Sequence, residues 1–240
     1  MKLRYQIVFI IFIFFMLSCS DTMNQEKQNV LTDEEVKDGW TLLFDGKSLD
    51  KWRNFKHPEI ISGWVAEDDA LVALGKGSDS MGDIITKDQF ENFDLKVEWK
   101  LSREGNSGIF YGILEDGFER VYDTGPEYQV IDDVNFPDPL EEWQKCGADY
   151  AMYLPNDKKV LKPVGEWNSS EIIVNDSLVQ YWLNEEKIIE FKRWTPEWHE
   201  KAQTGKWKDF PSYGLSPKGH IGLQDHGNKI WFRNIKIKEL

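Results

Sequence analysis

From residue 93 to residue 101 the chain alternates without a break: Leu95, Val97, Trp99 and Leu101 take one parity, and Lys96, Glu98 and Lys100 the other. Only an extended strand, whose side chains point to opposite faces with a period of two, sorts this pattern into one apolar and one charged face. The same period returns along the chain. Trp64 to Ala66 and Ala70 to Ala73 flank the acidic pair Asp68-Asp69 and predict a hairpin. Val179 to Leu183 and Lys187 to Phe191 predict another over Asn184-Glu185-Glu186, and Trp167 to Val174 forms a strand that turns at Asn175-Asp176. After Gly125-Pro126, the run Glu127 to Ile131 places Glu127, Gln129 and Ile131 on a common face. Short strands with turn signals about every eight to twelve residues, and little helical period beyond one turn around Pro196 to Lys201, predict an all-β sandwich or jelly roll. Residues 132–148 carry no clear period and read as a long loop of the kind kept for binding or closure. No boundary interrupts residues 39–240, which read as one domain.

The C-terminal stretch carries the densest chemistry. Gly219 to Gly227 followed by Trp231 to Ile237 reads as a strand, a turn and a final paired strand. Ile221 and Leu223 then face a core, while His220, Gln224 and His226 face the other way, with Gly222 leaving a gap between them. Two of the chain's 4 histidines lie on this stretch. His220, His226 and a carboxylate would suit a divalent cation if the chain turns at residues 225–227. Fully extended, the two histidines stand about 20 Å apart at a rise of roughly 3.3 Å per residue. Among the carboxylates Glu98, Glu127, Asp132, Glu166 and Asp225, the best candidate for proton transfer is Glu127, because Gln129 shares its face. Glu98, flanked on its face by lysines, reads as a surface ion-pair partner. Of the 11 tryptophans, most belong to the core; Trp182 and Trp231 neighbour polar strand positions and could offer a ring to a sugar face.

The N-terminus reads as a targeting segment over residues 1–18. Lys2 and Arg4 precede an apolar run from Ile7 to Leu17, too short for a comfortable membrane span. Leu17-Ser18-Cys19-Ser20 resembles a bacterial lipoprotein cleavage box, which makes Cys19 the expected lipidation site and the cell envelope of a Gram-negative bacterium the expected location. Residues 19–38 read as a flexible tether. With Cys19 lipidated, Cys146 stands alone as a packed thiol. The formal net charge is −13; without Lys2 and Arg4 the balance is 27 basic to 42 acidic residues, or −15. That surface argues against nucleic acid as a partner, since phosphate contacts need positive charge.

Several strings in one order carry a resemblance. They are Gly39-Trp40 with Leu42 to Leu49, Glu91 to Leu95, Gly105 to Ile109, Gly125 to Gln129, Gly165 to Asn168, Tyr181 to Asn184, Gly219 to Gly227, and Phe232 to Ile235. Together they resemble the 3-keto-disaccharide (3-keto-glucoside) hydrolase domain family across residues 39–240. Asn184-Glu185 stands where the family usually has Asn-Gly. The resemblance implies a concanavalin A-like jelly roll and a carbohydrate ligand whose C3 hydroxyl is already a ketone. It implies cleavage by C2-proton abstraction, elimination and rehydration. On face and motif position, Glu127, His220 and His226 are the expected catalytic residues. Asn106, Gln129, Gln224 and Arg233 are expected to hold hydroxyls or the oxyanion, with Tyr111 and Trp182 flanking the ring. A divalent metal would be compatible with the chemistry and is not required by it. A non-catalytic lectin and a two-carboxylate glycosidase are the alternatives.

Overall fold

The computed structural model describes residues 27–75 and 82–240. The targeting segment and Cys19 lie outside the described residues. Two antiparallel sheets pack face to face, as the alternation predicts. The larger runs β11 (Glu186–Lys192), β10 (Leu178–Leu183), β9 (Asn168–Asn175), β6 (Phe93–Leu101), β13 (Lys229–Glu239), β4 (Ala70–Leu74) and β3 (Trp64–Glu67), with β1 (Thr41–Leu42) also paired to β13. The smaller runs β2 (Trp52–Asn54), β5 (Ile84–Thr86), β12 (His220–Leu223), β7 (Asn106–Ile113) and β8 (Glu127–Ile131). The chain is thus an all-β jelly-roll sandwich.

Burial on β6 follows the sequence parity: Phe93, Leu95, Val97, Trp99 and Leu101 are buried, and the residues between them are half-buried. Each such side chain contributes about 1.5–3 kcal/mol on burial. A one-residue slip would expose all five and bury Lys96, Glu98 and Lys100, so the register is strongly specified. The hairpin turns are those predicted. Asp68 and Asp69 have φ of 52° and 58°, and Asn184 and Glu185 have 49° and 71°. Two successive left-handed residues form the tight turn whose twist matches a hairpin.

Three expectations are corrected here. β12 and β13 are not partners: β12 lies in the small sheet between β5 and β7, β13 in the large one between β6 and β4. The turn at residues 224–228 therefore crosses the sandwich. Residues 28–38, expected in the tether, are docked. Asn29 is buried, its amide donates to Asn234 Oδ1 at 2.6 Å, and the Asn234 amide donates back to Asn29 Oδ1 at 2.8 Å. A short helix α1 (Asp33–Lys37) follows, and Glu35 pairs with Lys236. Finally, the single helical turn expected near residue 196 is a nine-residue helix, α2 (Pro196–Thr204). Thr195 caps it by accepting from the Trp198 amide at 3.2 Å, Pro196 fits its first turn, and Trp198 and Ala202 bury one side.

Candidate functional site

The outward face of the small sheet is covered in two unlike ways. Over its middle lies an apolar cluster of Phe55, Ile85, Phe110, Ile113 and Val121. Beside it a cavity of about 220 Å³ opens over the ends of β7, β8 and β12. Its floor is polar: Asn106 from β7, Glu127 and Gln129 from β8, and Gln224 and His226 from the chain leaving β12. The register explains this convergence. Gly108 pairs with Gln129 and Phe110 with Glu127, so Asn106, Glu127 and Gln129 share one face of adjacent strands. Gln224 joins them because its amide donates to Gly108 O at 3.0 Å, carrying the β12 register one residue further.

Gly108 shapes the floor. A Cβ there would stand 2.3 Å from Glu127 Oε1 and 2.9 Å from its Cδ and Cγ, so the carboxylate lies directly across the glycine. Two floor acceptors are buried without a partner, Asn106 Oδ1 and Gln224 Oε1, in side chains only 8% and 6% exposed. A buried polar group left unsatisfied costs about 1–3 kcal/mol. Both residues line the cavity, and the two oxygens are closed to solvent, so a turn of either side chain towards the cavity would let a ligand hydroxyl satisfy an acceptor that now has no partner among the described residues. Gln129 Oε1 already accepts from the Val130 amide at 3.1 Å, which leaves its Nε2 as a donor.

The walls are aromatic and come from segments without strand period. Residues 147–150 run along β8 as an extra edge: Gly147 N donates to Gln129 O at 2.8 Å and Tyr150 N to Glu127 O at 3.0 Å. This sets Tyr150 over the floor. Trp207, in a 3-10 turn (Lys206–Asp209) after α2, donates from Nε1 to Tyr150 O at 3.0 Å and stacks on Tyr213 with centroids 4.1 Å apart. Tyr122, Phe210 and Lys206 complete the lining. None of these five wall residues is marked by a strand pattern. For four of them the signal that could have found them is the concentration of Trp, Tyr and Lys in the stretches 143–153 and 194–213, which carry no strand period; Tyr122 lies outside both.

The structure thus brings together Asn106, Glu127, Gln129, Gln224 and His226, and it separates the other expected site residues from them. His220 shares the outward parity but sits at the far end of β12, with Nε2 3.0 Å from Gln89 Nε2 and Nδ1 3.2 Å from Asp88 O. Burial first, then the nearby Arg53 guanidinium, holds its pKa below the usual imidazole value. The gap expected over Gly222 is filled: a Cβ there would meet Ile113 Cδ1 at 2.5 Å, part of the apolar cluster between His220 and the cavity. Tyr111 faces the interior, where its hydroxyl accepts from Tyr181 at 3.1 Å. Arg233 is on the outer side of the large sheet, donating from Nε to Glu98 Oε2 at 2.7 Å. Trp231 is also on β13, beneath the ammonium groups of Lys100 and Lys229. Trp182 lines a different cleft of about 740 Å³, between that outer face and residues 27–35. Most charges of that cleft are already matched, Glu98 by Arg233, Lys96 by Glu171 and Lys236 by Glu35. Among the described residues no three His, Cys, Asp or Glu side chains gather around a common metal position. His220 and His226 therefore do not form the shared ion site considered from the sequence.

The remaining carboxylate and thiol candidates have structural surroundings. Asp132 accepts from the amides of Glu104, Val134 and Asn135 at 3.0–3.1 Å. Burial opposes its ionisation, but these hydrogen bonds outweigh it and hold the pKa below the ordinary carboxylate value. Glu166 borders a third, more apolar cleft with Trp99 and Leu161. Cys146 is fully buried, and burial pushes its thiol up to about 12, the state of an inert core thiol. Behind the Tyr150–Trp207 wall lies Asp149, whose carboxyl burial pushes up to about 8 against the lowering effects of Tyr181 and Arg193.

Residues 39–238 match the model of the 3-keto-alpha-glucoside-1,2-lyase-like domain. A 3-keto-disaccharide hydrolase of Bacteroides thetaiotaomicron is 35% identical over 229 residues, covering 85% of this chain and 79% of that protein. A Parabacteroides distasonis crystal structure provisionally described as a glycosyl hydrolase superposes with TM-score 0.84 at 42% identity, covering 89% of this chain and 100% of that one. A second such structure from the same organism gives TM-score 0.64 at 32% identity, covering 84% and 99%.

Proposed function

The chain belongs to the 3-keto-alpha-glucoside-1,2-lyase-like domain family, and on that premise we propose that it cleaves the glycosidic bond of 3-keto-glucosides by proton abstraction, elimination and rehydration. The observation that carries this reading is the pair of partnerless acceptors, Asn106 Oδ1 and Gln224 Oε1, flanking the Glu127 carboxylate on one cavity floor. A ketone at C3 acidifies the proton on C2. Glu127 removes it, a step to which a positioned base contributes about 10²–10⁴-fold. Asn106 and Gln224 accept from the sugar's hydroxyls, and Gln129 Nε2 donates to an oxygen. The faces of Tyr150 and Trp207 cover the apolar side of the ring. His226, where the chain leaves β12, serves the departing oxygen as proton donor. At about 220 Å³, the cavity takes one sugar ring and leaves the aglycone outside. In the same proposal, Cys19 carries lipid and tethers the domain in the cell envelope.

Glu127 is the one carboxylate lining the cavity among the described residues. A conventional glycosidase needs two flanking the scissile bond, so that alternative loses its support. The test is incubation with 3-keto-trehalose beside trehalose in deuterated water. Cleavage of the keto sugar alone, with deuterium gained at C2 and at least a hundredfold loss (about the range for one general base) in Glu127→Gln, is the expected outcome. Binding without cleavage means a lectin. Cleavage of trehalose itself, or an active Glu127→Gln, refutes the proposal.

A further inference from the structure

Removing a proton next to a ketone leaves a negative charge on the carbonyl oxygen. Once Glu127 has taken that proton it is neutral, so the charge rests on the sugar. Preorganised donors or cations aimed at such a developing charge are usually the largest single contribution to catalysis. Arg233, the cation expected there from the sequence, is across the molecule on Glu98. The cavity contains another. Lys206 opens the 3-10 turn that carries Trp207, and its ammonium lies over the Tyr150 ring, 4.1 Å from the centroid, with Trp207 at 5.5 Å and Trp143 at 5.7 Å.

The surroundings of this lysine differ from those of its neighbours on the facing loop. Lys145 is paired with Glu142 and Lys159 with Asp133, each at 2.5 Å. Lys206 has no carboxylate partner among the described residues; three aromatic faces hold it instead. Cation–π attraction orients an ammonium without occupying its N–H donors as a carboxylate would. Its backbone is fixed on both sides: the Gly205 amide donates to Lys201 O at 3.0 Å, and Trp207 is anchored through Nε1 to Tyr150 O. Lys206, a charged donor held by aromatic faces, and Glu127, a carboxylate on the sheet floor, therefore line the same cavity.

We propose that Lys206 is a catalytic residue that donates to the C3 oxygen and holds the enediolate; the assignment rests on the 3-keto-sugar reading above. The C2–H bond breaks and its proton passes to Glu127. The C2–H electron pair forms C2=C3, and the carbonyl pair moves onto the oxygen beside the ammonium. Collapse restores C3=O, forms C1=C2 and breaks C1–O. The leaving oxygen takes a proton, and water adds across C1=C2.

The test compares Lys206→Met and Lys206→Arg with the wild type on 3-keto-trehalose. A parallel assay follows C2 hydrogen–deuterium exchange by NMR in the 3-keto derivative of 1-deoxyglucose, which has no leaving group. Lys206→Met should lower kcat about 10²–10³-fold, the loss typical of one oxyanion donor, with KM changed less than about threefold. Exchange should fall by the same factor. Lys206→Arg should recover to within about tenfold of wild type, because it keeps the charge with a different shape. The unfolding midpoint should be unmoved, since Lys206 is exposed. The proposal is overturned if Lys206→Met keeps the wild-type kcat, if KM alone changes, or if cleavage falls while exchange persists, which would move Lys206 to the leaving group. A wild type that neither cleaves nor exchanges removes the 3-keto reading and Lys206 with it; an active wild type with an equally active Lys206→Met removes Lys206 alone.

Discussion

Gly108→Ala separates the catalytic reading from stability within one methyl group. The substitution puts a Cβ 2.3 Å from Glu127 Oε1, where ordinary contact needs 3.4 Å or more, so the carboxylate must move by about an ångström. The clashing atoms belong to a side chain, and the fold can absorb their displacement. Gly108 has no left-handed φ that would strain alanine. In a strand interior, alanine lowers the backbone entropy lost on folding by roughly 0.5–1 kcal/mol relative to glycine. This gain offsets much of the cost of moving Glu127, and the unfolding free energy should stay within about 1 kcal/mol of wild type. Activity should not follow. An ångström of misplacement at a reacting group costs about a hundredfold, so kcat on the 3-keto sugar should fall by about two orders of magnitude. Chemical denaturation and initial rates on the same preparation give both numbers. A Gly108→Ala protein as stable and as fast as wild type would show that the carboxylate held over this glycine does not carry the chemistry.

Two further outcomes test the surroundings of the site. Asp149 is protonated in the folded protein up to about pH 8, while its ordinary value is 3.8. Unfolding between these limits releases a proton, so this group's contribution to stability is full below about pH 4 and is lost as pH rises towards 8, at up to about 1.4 kcal/mol per pH unit. Urea denaturation of wild type and Asp149→Asn from pH 5 to 8 should show wild type losing stability relative to the variant as pH rises; a difference independent of pH refutes the buried neutral carboxyl. His220→Ala and Arg233→Ala should each keep kcat on the 3-keto sugar within about threefold while lowering stability by about 1 kcal/mol, since each loses polar contacts outside the cavity. A tenfold fall in kcat for either would place the site elsewhere.

Local features of the sequence were enough for most of the strands, the hairpins and the inward faces; the short β5 and the start of β7 at Asn106 were not read from them. Period two is a property of the extended backbone itself, so the alternation of Leu95, Val97, Trp99 and Leu101 translates directly into burial. Asp68-Asp69 and Asn184-Glu185 close hairpins because their own φ angles do so. Glu127, Gln129 and Gln224 were legible for the same reason, each on the outward parity of a stretch whose period marks it as a strand; Asn106 was reached only through the Gly105 to Ile109 string of the family resemblance, and the structure makes it the first residue of β7.

Parity says which way a side chain points and nothing about what stands opposite. His220 and Gln224 share a parity on one short stretch, yet Ile113 and Phe110 cover the space between them, and only the pairing of β12 with β7 brings those two residues there. Arg233 follows β13 into the other sheet because β13 pairs with β6 and β4 rather than with β12. Tyr150, Lys206 and Trp207 come from stretches with no period. They meet over the floor through one edge of backbone hydrogen bonds along β8 and the docking of α2 behind it. The sequence by itself determined the strands and their two faces, which are matters of nearest neighbours. Only the tertiary structure decided which outward face became a site, because that depends on contacts between residues far apart along the chain.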